Sequence, residues 1–178
     1  MRIISGKWKG RNIIAPKKLP VRPTTDFAKT ALFNILANHF DFENVSVLDL
    51  FSGTGNISYE FASRGTEYIS CVDENVHCVR FIESTFEKLQ VHSVRIYKSD
   101  VFSFLEHATE KFDIVFADPP FELKDTDRLP SIVFEKDILN PGGWLIIEHQ
   151  AKRRLTAIKE PDELRTYSNC AFSIYKKN

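Results

Sequence analysis

Asp118-Pro119-Pro120-Phe121 is the stretch of this 178-residue sequence whose residue types most directly imply a reaction. The exocyclic amine of a nucleobase is a poor nucleophile, because its lone pair is delocalised into the ring. Acceptors on the amine protons draw the nitrogen toward a tetrahedral state. A carboxylate at Asp118 and the backbone carbonyl of Pro119 supply two such acceptors. Two prolines stiffen the loop that carries them, so little reorganisation is needed as the transition state forms. Phe121 adds a ring on which a base can stack, a contact typically worth ~1–3 kcal/mol. The expected chemistry is group transfer to an amine of this kind.

A second constellation has the makings of a nucleoside site. Asp49-Leu50-Phe51-Ser52-Gly53-Thr54-Gly55 lies where an apolar strand hands over to a helix. Gly53 and Gly55 let the backbone turn sharply and approach a ligand closely. Asp49 is placed to accept from an amine or to order the loop. Asp73, at the end of the next strand, can accept both hydroxyls of a ribose. Asp100 follows the third strand and suits an adenine amino group, with Val101 against the ring; capping the next helix is its ordinary alternative. Such a site takes either NAD or S-adenosylmethionine. Ser58 stands where the dinucleotide fingerprint has its third glycine, which disfavours a pyrophosphate. S-adenosylmethionine has no phosphate, and its sulfonium can give up a methyl group and leave as a neutral thioether.

The elements that must position these residues follow from hydrophobic periodicity. Val45–Phe51, Tyr68–Asp73, Val94–Lys98, Phe112–Ala117 and Trp144–Glu148 read as buried strands. Helices are predicted over Asn56–Arg64, from Val79 to Leu89, over Val101–His107 and from Leu129 to Leu139, with Asn140-Pro141-Gly142-Gly143 as a turn. An earlier helix presents Phe27, Ala28, Ala31, Leu32, Ile35 and Leu36 on one face and is capped by Thr24 or Thr25. Leu164–Ser168 and Cys170–Tyr175 have no room for a helix between them and read as an antiparallel hairpin. The expected fold class is α/β: a doubly wound, mostly parallel seven-stranded sheet with a C-terminal antiparallel hairpin and a small N-terminal β-hairpin arm.

That arm is a matter of charge as well as structure. The chain holds 24 basic and 24 acidic residues, yet residues 1–25 carry Arg2, Lys7, Lys9, Arg11, Lys17, Lys18 and Arg22 and no acid. The charges alternate with Ile3, Ile4, Trp8, Ile13 and Ile14, and Gly6 and Gly10 bracket Lys7-Trp8-Lys9, a pattern of two short strands and a turn. A folded basic hairpin beside an acidic body is an electrostatic footprint for nucleic acid. The expected division is an arm and linker over 1–22 and a methyltransferase domain over 23–178, with Lys152-Arg153-Arg154 either extending the RNA surface or simply solvated. No apolar run approaches the ~20 residues of a bilayer span, and the first residues lack the apolar core of a secretory signal. Cys71, Cys78 and Cys170 are odd in number and lack metal-type spacing, which suits reduced thiols in the cytoplasm. The five histidines are read as surface or core residues, and no metal is expected.

The sequence resembles the RsmD-like family of bacterial 16S ribosomal RNA guanine-N2 methyltransferases. The resemblance runs through Arg2-Ile3-Ile4-Ser5-Gly6-Lys7-Trp8-Lys9-Gly10-Arg11, Arg22-Pro23-Thr24-Thr25-Asp26, Ala31-Leu32-Phe33-Asn34-Ile35-Leu36, Asp49–Gly55, Ser63-Arg64-Gly65 and Asp118–Phe121. It implies a class I S-adenosylmethionine-dependent fold and transfer of a methyl group to a guanine N2 of 16S rRNA. Phe51, Ser52, Gly53 and Gly55 would form the cofactor loop, Asp73 would take the ribose, and Asp100 with Val101 the adenine. Asp118 to Phe121 would hold the guanine, and the arm would grip RNA within the small subunit or its precursor. A cytoplasmic monomer is expected. Phe27-Ala28-Lys29-Thr30 departs from the family's Arg-Val-Arg-Glu-like stretch, and Ser58 stands where many members have glycine. Other classes remain open at this level: an adenine-N6 or cytosine-N4 methyltransferase of DNA or RNA, a non-catalytic nucleotide-binding module, and a small dehydrogenase.

Overall fold

A computed structural model of the chain describes residues 1–16, 19, 24–155 and 159–178. Lys17, Lys18 and Arg22 of the expected basic set lie outside the described residues. Among the described residues the chain forms α1 (Asp26–Ala37), β1 (Ser46–Leu50), α2 (Asn56–Ser63), β2 (Tyr68–Asp73), α3 (Val76–Lys88), β3 (Arg95–Lys98), α4 (Val101–His107), β4 (Phe112–Ala117), α5 (Leu129–Glu135), β5 (Leu139–Gln150), β6 (Glu163–Tyr167) and β7 (Cys170–Lys176).

The seven strands join one sheet in the order β3-β2-β1-β4-β5-β7-β6. The first five are parallel, and β7 runs antiparallel between β5 and β6. This is the doubly wound sheet with a closing hairpin that the strand spacing predicts. Strand order reverses between β1 and β4, so their connections leave in opposite directions and open a crevice at the carboxyl edge. Alternation along the strands sends Val47, Ile114, Phe116, Trp144 and Ile146 into one core with α1, α2 and α3. Leu48, Leu50, Val115, Leu145 and Ile147 enter the other, with α4 and α5.

Local chemistry sets the helix starts. The Thr25 side chain accepts from the Ala28 N–H at 3.2 Å, Asn75 from His77, and Asp100 from Ser103, so α1, α3 and α4 each begin at a side-chain cap. Three expectations need correction. The buried face of α1 is Ala28, Lys29, Leu32, Phe33 and Leu36, and Phe27 is 67% exposed. Ala28, Leu32 and Leu36 are buried as expected, but the face turns toward Lys29 and Phe33 and away from Phe27, because Lys29 is paired inside the core. The helix expected to reach Leu139 ends at Glu135, and Asn140-Pro141-Gly142-Gly143 lies inside β5. There the β4–β5 pairing shifts register between Phe112 and Ile114, so the Gly-rich stretch serves as an irregularity in a long strand.

The N-terminal arm is narrower than two full strands. One antiparallel bridge, Arg2 to Asn12, is flanked by bonds from the Ile3 N–H to the Arg11 carbonyl and from the Ile13 N–H to the Met1 carbonyl. The arm is also docked. Ile3 and Ile13 are buried in the core that α1 and α2 share. The Lys7 N–H donates to the Ser63 carbonyl and the Trp8 N–H to the Ser63 hydroxyl, which itself donates to the Ser5 carbonyl. Gly6, at φ 79°, makes this contact possible: a Cβ there would stand 1.8 Å from the Ser63 carbonyl oxygen.

Candidate active site

The loop between β1 and α2 is built around a carboxylate. Asp49 is buried, and Ser58 donates its hydroxyl to it from α2. Burial pushes the Asp49 carboxyl up to about 7, the Ser58 bond opposes this, and the nearby Asp73 charge adds to it. The Ser52 hydroxyl donates to the Asp49 carbonyl, and the Val72 N–H donates to Ser52, tying the loop to β2. Phe51 has φ 58°, a left-handed conformation that is costly for a bulky residue. Strain of this kind persists where surrounding contacts fix the chain, and it clusters at binding loops. Gly55 (φ 76°) is the N-cap of α2 and offers no side chain there, so the backbone N–H groups of the helix start face the loop.

Asp73 closes the same loop from β2. One carboxylate oxygen accepts from the Gly53 N–H at 2.8 Å and the other from the Asn75 N–H at 2.8 Å. A carboxylate has about four lone-pair sites, so two remain for a ligand. Asp100 is exposed at the end of β3 while it caps α4, and Val101 is buried beside it.

Asp118 follows β4 directly. Its N–H reaches the β1 terminus at the Leu50 carbonyl, 3.4 Å away. Burial raises its carboxyl well above the usual range, and the charges of Glu148 and Asp49 raise it further. The β1–β4 register pairs Leu50 with Ala117, so Asp118 emerges beside the β1–α2 loop, and the structure brings Phe51–Gly55, Asp73 and Asp118 to one edge. Pro119 is buried, Pro120 is exposed, and the Phe121 ring is 45% exposed. The Arg153 guanidinium donates to the Leu123 carbonyl at 3.3 Å and pairs with Asp127 at 3.5 Å, holding the segment after Phe121. Of the Lys152-Arg153-Arg154 run, Arg153 is thus engaged with the protein itself rather than simply solvated.

Hydrophobic periodicity misses a buried polar network between the arm and this crevice. Lys29, on α1, donates to the Arg2 carbonyl, to Asn56 Oδ1 and to Glu60 at 3.0 Å. Glu60 also takes the Ile4 N–H and the Arg64 guanidinium. The Asn56 amide donates to the Thr24 carbonyl, and the Thr24 hydroxyl donates to Glu148 at 2.7 Å. The signals that could have found it are a lysine amid apolar α1 positions and a glutamate between Tyr59 and Phe61. Of the basic residues described in the arm, Lys7, Lys9 and Arg11 are exposed, with the Lys7 ammonium 5.5 Å from the Trp8 ring centre. Arg2 is exposed too, and pairs with Asp26 at 3.2 Å.

Known proteins share this architecture. A family model described as "Conserved hypothetical protein 95" matches residues 1–176. The chain belongs to that family, the RsmD-like family its opening segments resemble. A relative, "Ribosomal RNA small subunit methyltransferase D" of Escherichia coli (strain K12), is 31% identical over 151 residues, 83% of this chain and 71% of the relative. A solved hypothetical protein of Thermus thermophilus superposes with a TM-score of 0.86 at 25% identity, covering 98% of each chain. An RNA methyltransferase from Salinibacter ruber, solved with S-adenosyl-L-homocysteine, has the same fold at a TM-score of 0.64 and 19% identity, covering 87% of this chain and 93% of that one. The fold is therefore that of the class I S-adenosylmethionine-dependent methyltransferases.

The donor set fits such a cofactor. Asp49, Asp73, Asp100, Asp118 and Glu148 gather at the carboxyl edges of β1 to β5, and Lys29 is neutralised by Glu60. Carboxylates suit ribose hydroxyls, an adenine amine, an ammonium and a sulfonium. Among the described residues no cluster of three His, Cys, Asp or Glu is arranged to hold a metal, and no helix is long and apolar enough to cross a membrane.

Proposed function

We propose that this chain transfers a methyl group from S-adenosylmethionine to the exocyclic N2 amine of a guanine in 16S ribosomal RNA. We propose a cytoplasmic monomer acting on the small subunit or its precursor, with residues 1–22 as an RNA-contacting arm and 23–178 as the methyltransferase domain. The observation that carries this reading is the position of Asp118, on a proline-stiffened loop beside the crevice formed by Phe51–Gly55 and Asp73.

Bound S-adenosylmethionine supplies an electrophilic methyl group on a sulfonium. In this reading Asp73 holds the ribose with its free lone pairs, Asp100 and Val101 hold the adenine, and Phe51 to Gly55 line the cofactor with backbone. Asp49 acts beneath that loop, held by Ser58. Phe121 stacks on the guanine. Asp118 and the Pro119 carbonyl accept the two amine protons and bring the nitrogen lone pair toward the methyl carbon. As the carbon–nitrogen bond forms, the carbon–sulfur bond breaks and the amine gives up one proton. In this reading Asp118 takes it, its carboxylate made a stronger base by burial. Arg2, Lys7, Lys9 and Arg11 on the docked arm face phosphate, with Lys17, Lys18 and Arg22 in the same basic segment.

The support for an rRNA substrate is the family itself, in which the Escherichia coli relative is named a small-subunit rRNA methyltransferase. The test is to incubate small subunits from a strain lacking this gene with the protein and labelled S-adenosylmethionine, and to map the product by mass spectrometry. N2-methylguanine at one 16S position is the expected product. Label on adenine or cytosine, or no label, would overturn the assignment.

A further inference from the structure

Two carboxylates stand side by side at the ends of β4 and β5. The parallel register pairs Ala117, the last residue of β4, with Ile147, so Asp118, the first residue beyond β4, lies beside Glu148 of β5. Adjacent strands lie about 4.8 Å apart. Alternation puts both side chains on the face that carries Phe116 and Ile146, which is also the face of Asp49. Their proximity is felt electrostatically, since the Glu148 charge is among those acting on Asp118.

Glu148 is only 6% exposed, and the donor that holds it is neutral. The Thr24 hydroxyl donates to Oε2, while the nearby Cys170 thiol on β7 donates to the Tyr167 carbonyl. A buried carboxylate held by a neutral group costs stability relative to an apolar or paired residue. Thr24, in turn, is fixed through its carbonyl by Asn56, the first residue of α2. The carboxylate is thus aimed by a framework anchored at the cofactor loop, and its remaining lone pairs can take another donor.

The hydrogen-bonding edges of the bases give such an arrangement a meaning. Next to its exocyclic amine, guanine carries N1–H, a second donor. Adenine and cytosine carry a bare ring nitrogen there, an acceptor. Two adjacent carboxylates therefore complement guanine, and one of them opposes a lone pair in the other two bases. We propose that Glu148 is a specificity-determining residue of this site, accepting N1–H of the target guanine while Asp118 accepts from N2. This inference rests on the guanine-N2 reading above.

The probe is the small subunit reconstituted with either guanine or 2-aminopurine at the position mapped as described. 2-Aminopurine keeps the N2 amine and has a bare N1. The wild-type protein is expected to methylate the 2-aminopurine particle with kcat/KM on the order of 100-fold lower than the guanine particle, because a buried acceptor then faces an acceptor. Glu148→Gln offers an amide N–H to that nitrogen, so the ratio should collapse to below about 5-fold. The ratio is internal to each protein, so loss of folded material cancels, and the missing O6 affects both proteins alike. Thr24→Val, which leaves the carboxylate present but unaimed, should narrow the ratio in the same direction. Equal rates on the two particles with wild-type protein overturn the role, as does a Glu148→Gln protein that keeps the wild-type ratio. Failure of the wild-type protein to make N2-methylguanine on the guanine particle sinks the parent reading and this one with it.

Discussion

The ammonium of Lys29 lies 3.0 Å from the carboxylate of Glu60, and both side chains are fully enclosed. Burial lowers the Lys29 pKa, and Glu60 opposes that shift. Removing one partner strands the other's charge in the core. Glu60→Ala is therefore expected to destabilise the fold by about 3–5 kcal/mol. It also takes an acceptor from the Ile4 N–H and from Arg64, so the arm should loosen first. The apolar pair Lys29→Met with Glu60→Leu should cost much less. Denaturant titration of the two proteins, with hydrogen exchange at Ile4 as the local reporter, checks both statements. Equal losses in the two would mean that charge pairing is not what holds this junction.

Much of the fold could be read in the sequence, and the misses share a physical cause. Tyr68–Asp73, Val101–His107 and Phe112–Ala117 have the bounds that periodicity predicts, because their cores are apolar and their caps are local. Lys29 and Glu60 defeat periodicity, because a buried charge is tolerated only through a partner far away in sequence. The same holds for Glu148, whose partner Thr24 lies 124 residues away. Ser58 was legible as a departure from glycine but not as the donor to Asp49, which depends on how α2 packs over β1. The crevice follows from strand order, and strand order is a matter of long-range pairing.

Asp118→Ala removes an acceptor from the proposed amine site and leaves the β1–α2 loop untouched. Binding of S-adenosylhomocysteine by calorimetry should change little. Single-turnover methylation should fall by about 10²–10³. Near-normal turnover would mean that the Pro119 carbonyl suffices and that Asp118 serves only to shape the loop.

Asp49 ties stability to pH. Its carboxyl rises from the ordinary range to about 7 in the fold, led by burial. A raised carboxyl means that the folded state holds its proton more tightly than the unfolded chain does. The penalty for ionising it is fully present above about 7 and is relieved as pH falls toward the unfolded value. Asp49→Asn removes that penalty while retaining an acceptor for Ser58. The variant's Tm should therefore fall less than the wild type's between about pH 6 and pH 8. Parallel profiles would place the pH sensitivity elsewhere, Asp118 and Glu148 being the next candidates.

The arm is best tested by charge rather than by deletion. Ile3 and Ile13 are core residues, so truncation would unfold the junction with α1 and α2 and confound any loss of RNA binding. Lys7, Lys9 and Arg11 are exposed, and each can change sign without disturbing the backbone bonds to Ser63. If all three meet phosphate, replacing them with glutamate should reduce the slope of log K against log salt by roughly 0.7–0.9 for each phosphate no longer neutralised. Tm should stay within about 2–4 °C of the wild type, as expected for surface substitutions. A slope equal to that of the wild type, measured on small-subunit rRNA, would assign the arm to folding alone and move the search for the RNA surface to the rim around Phe121.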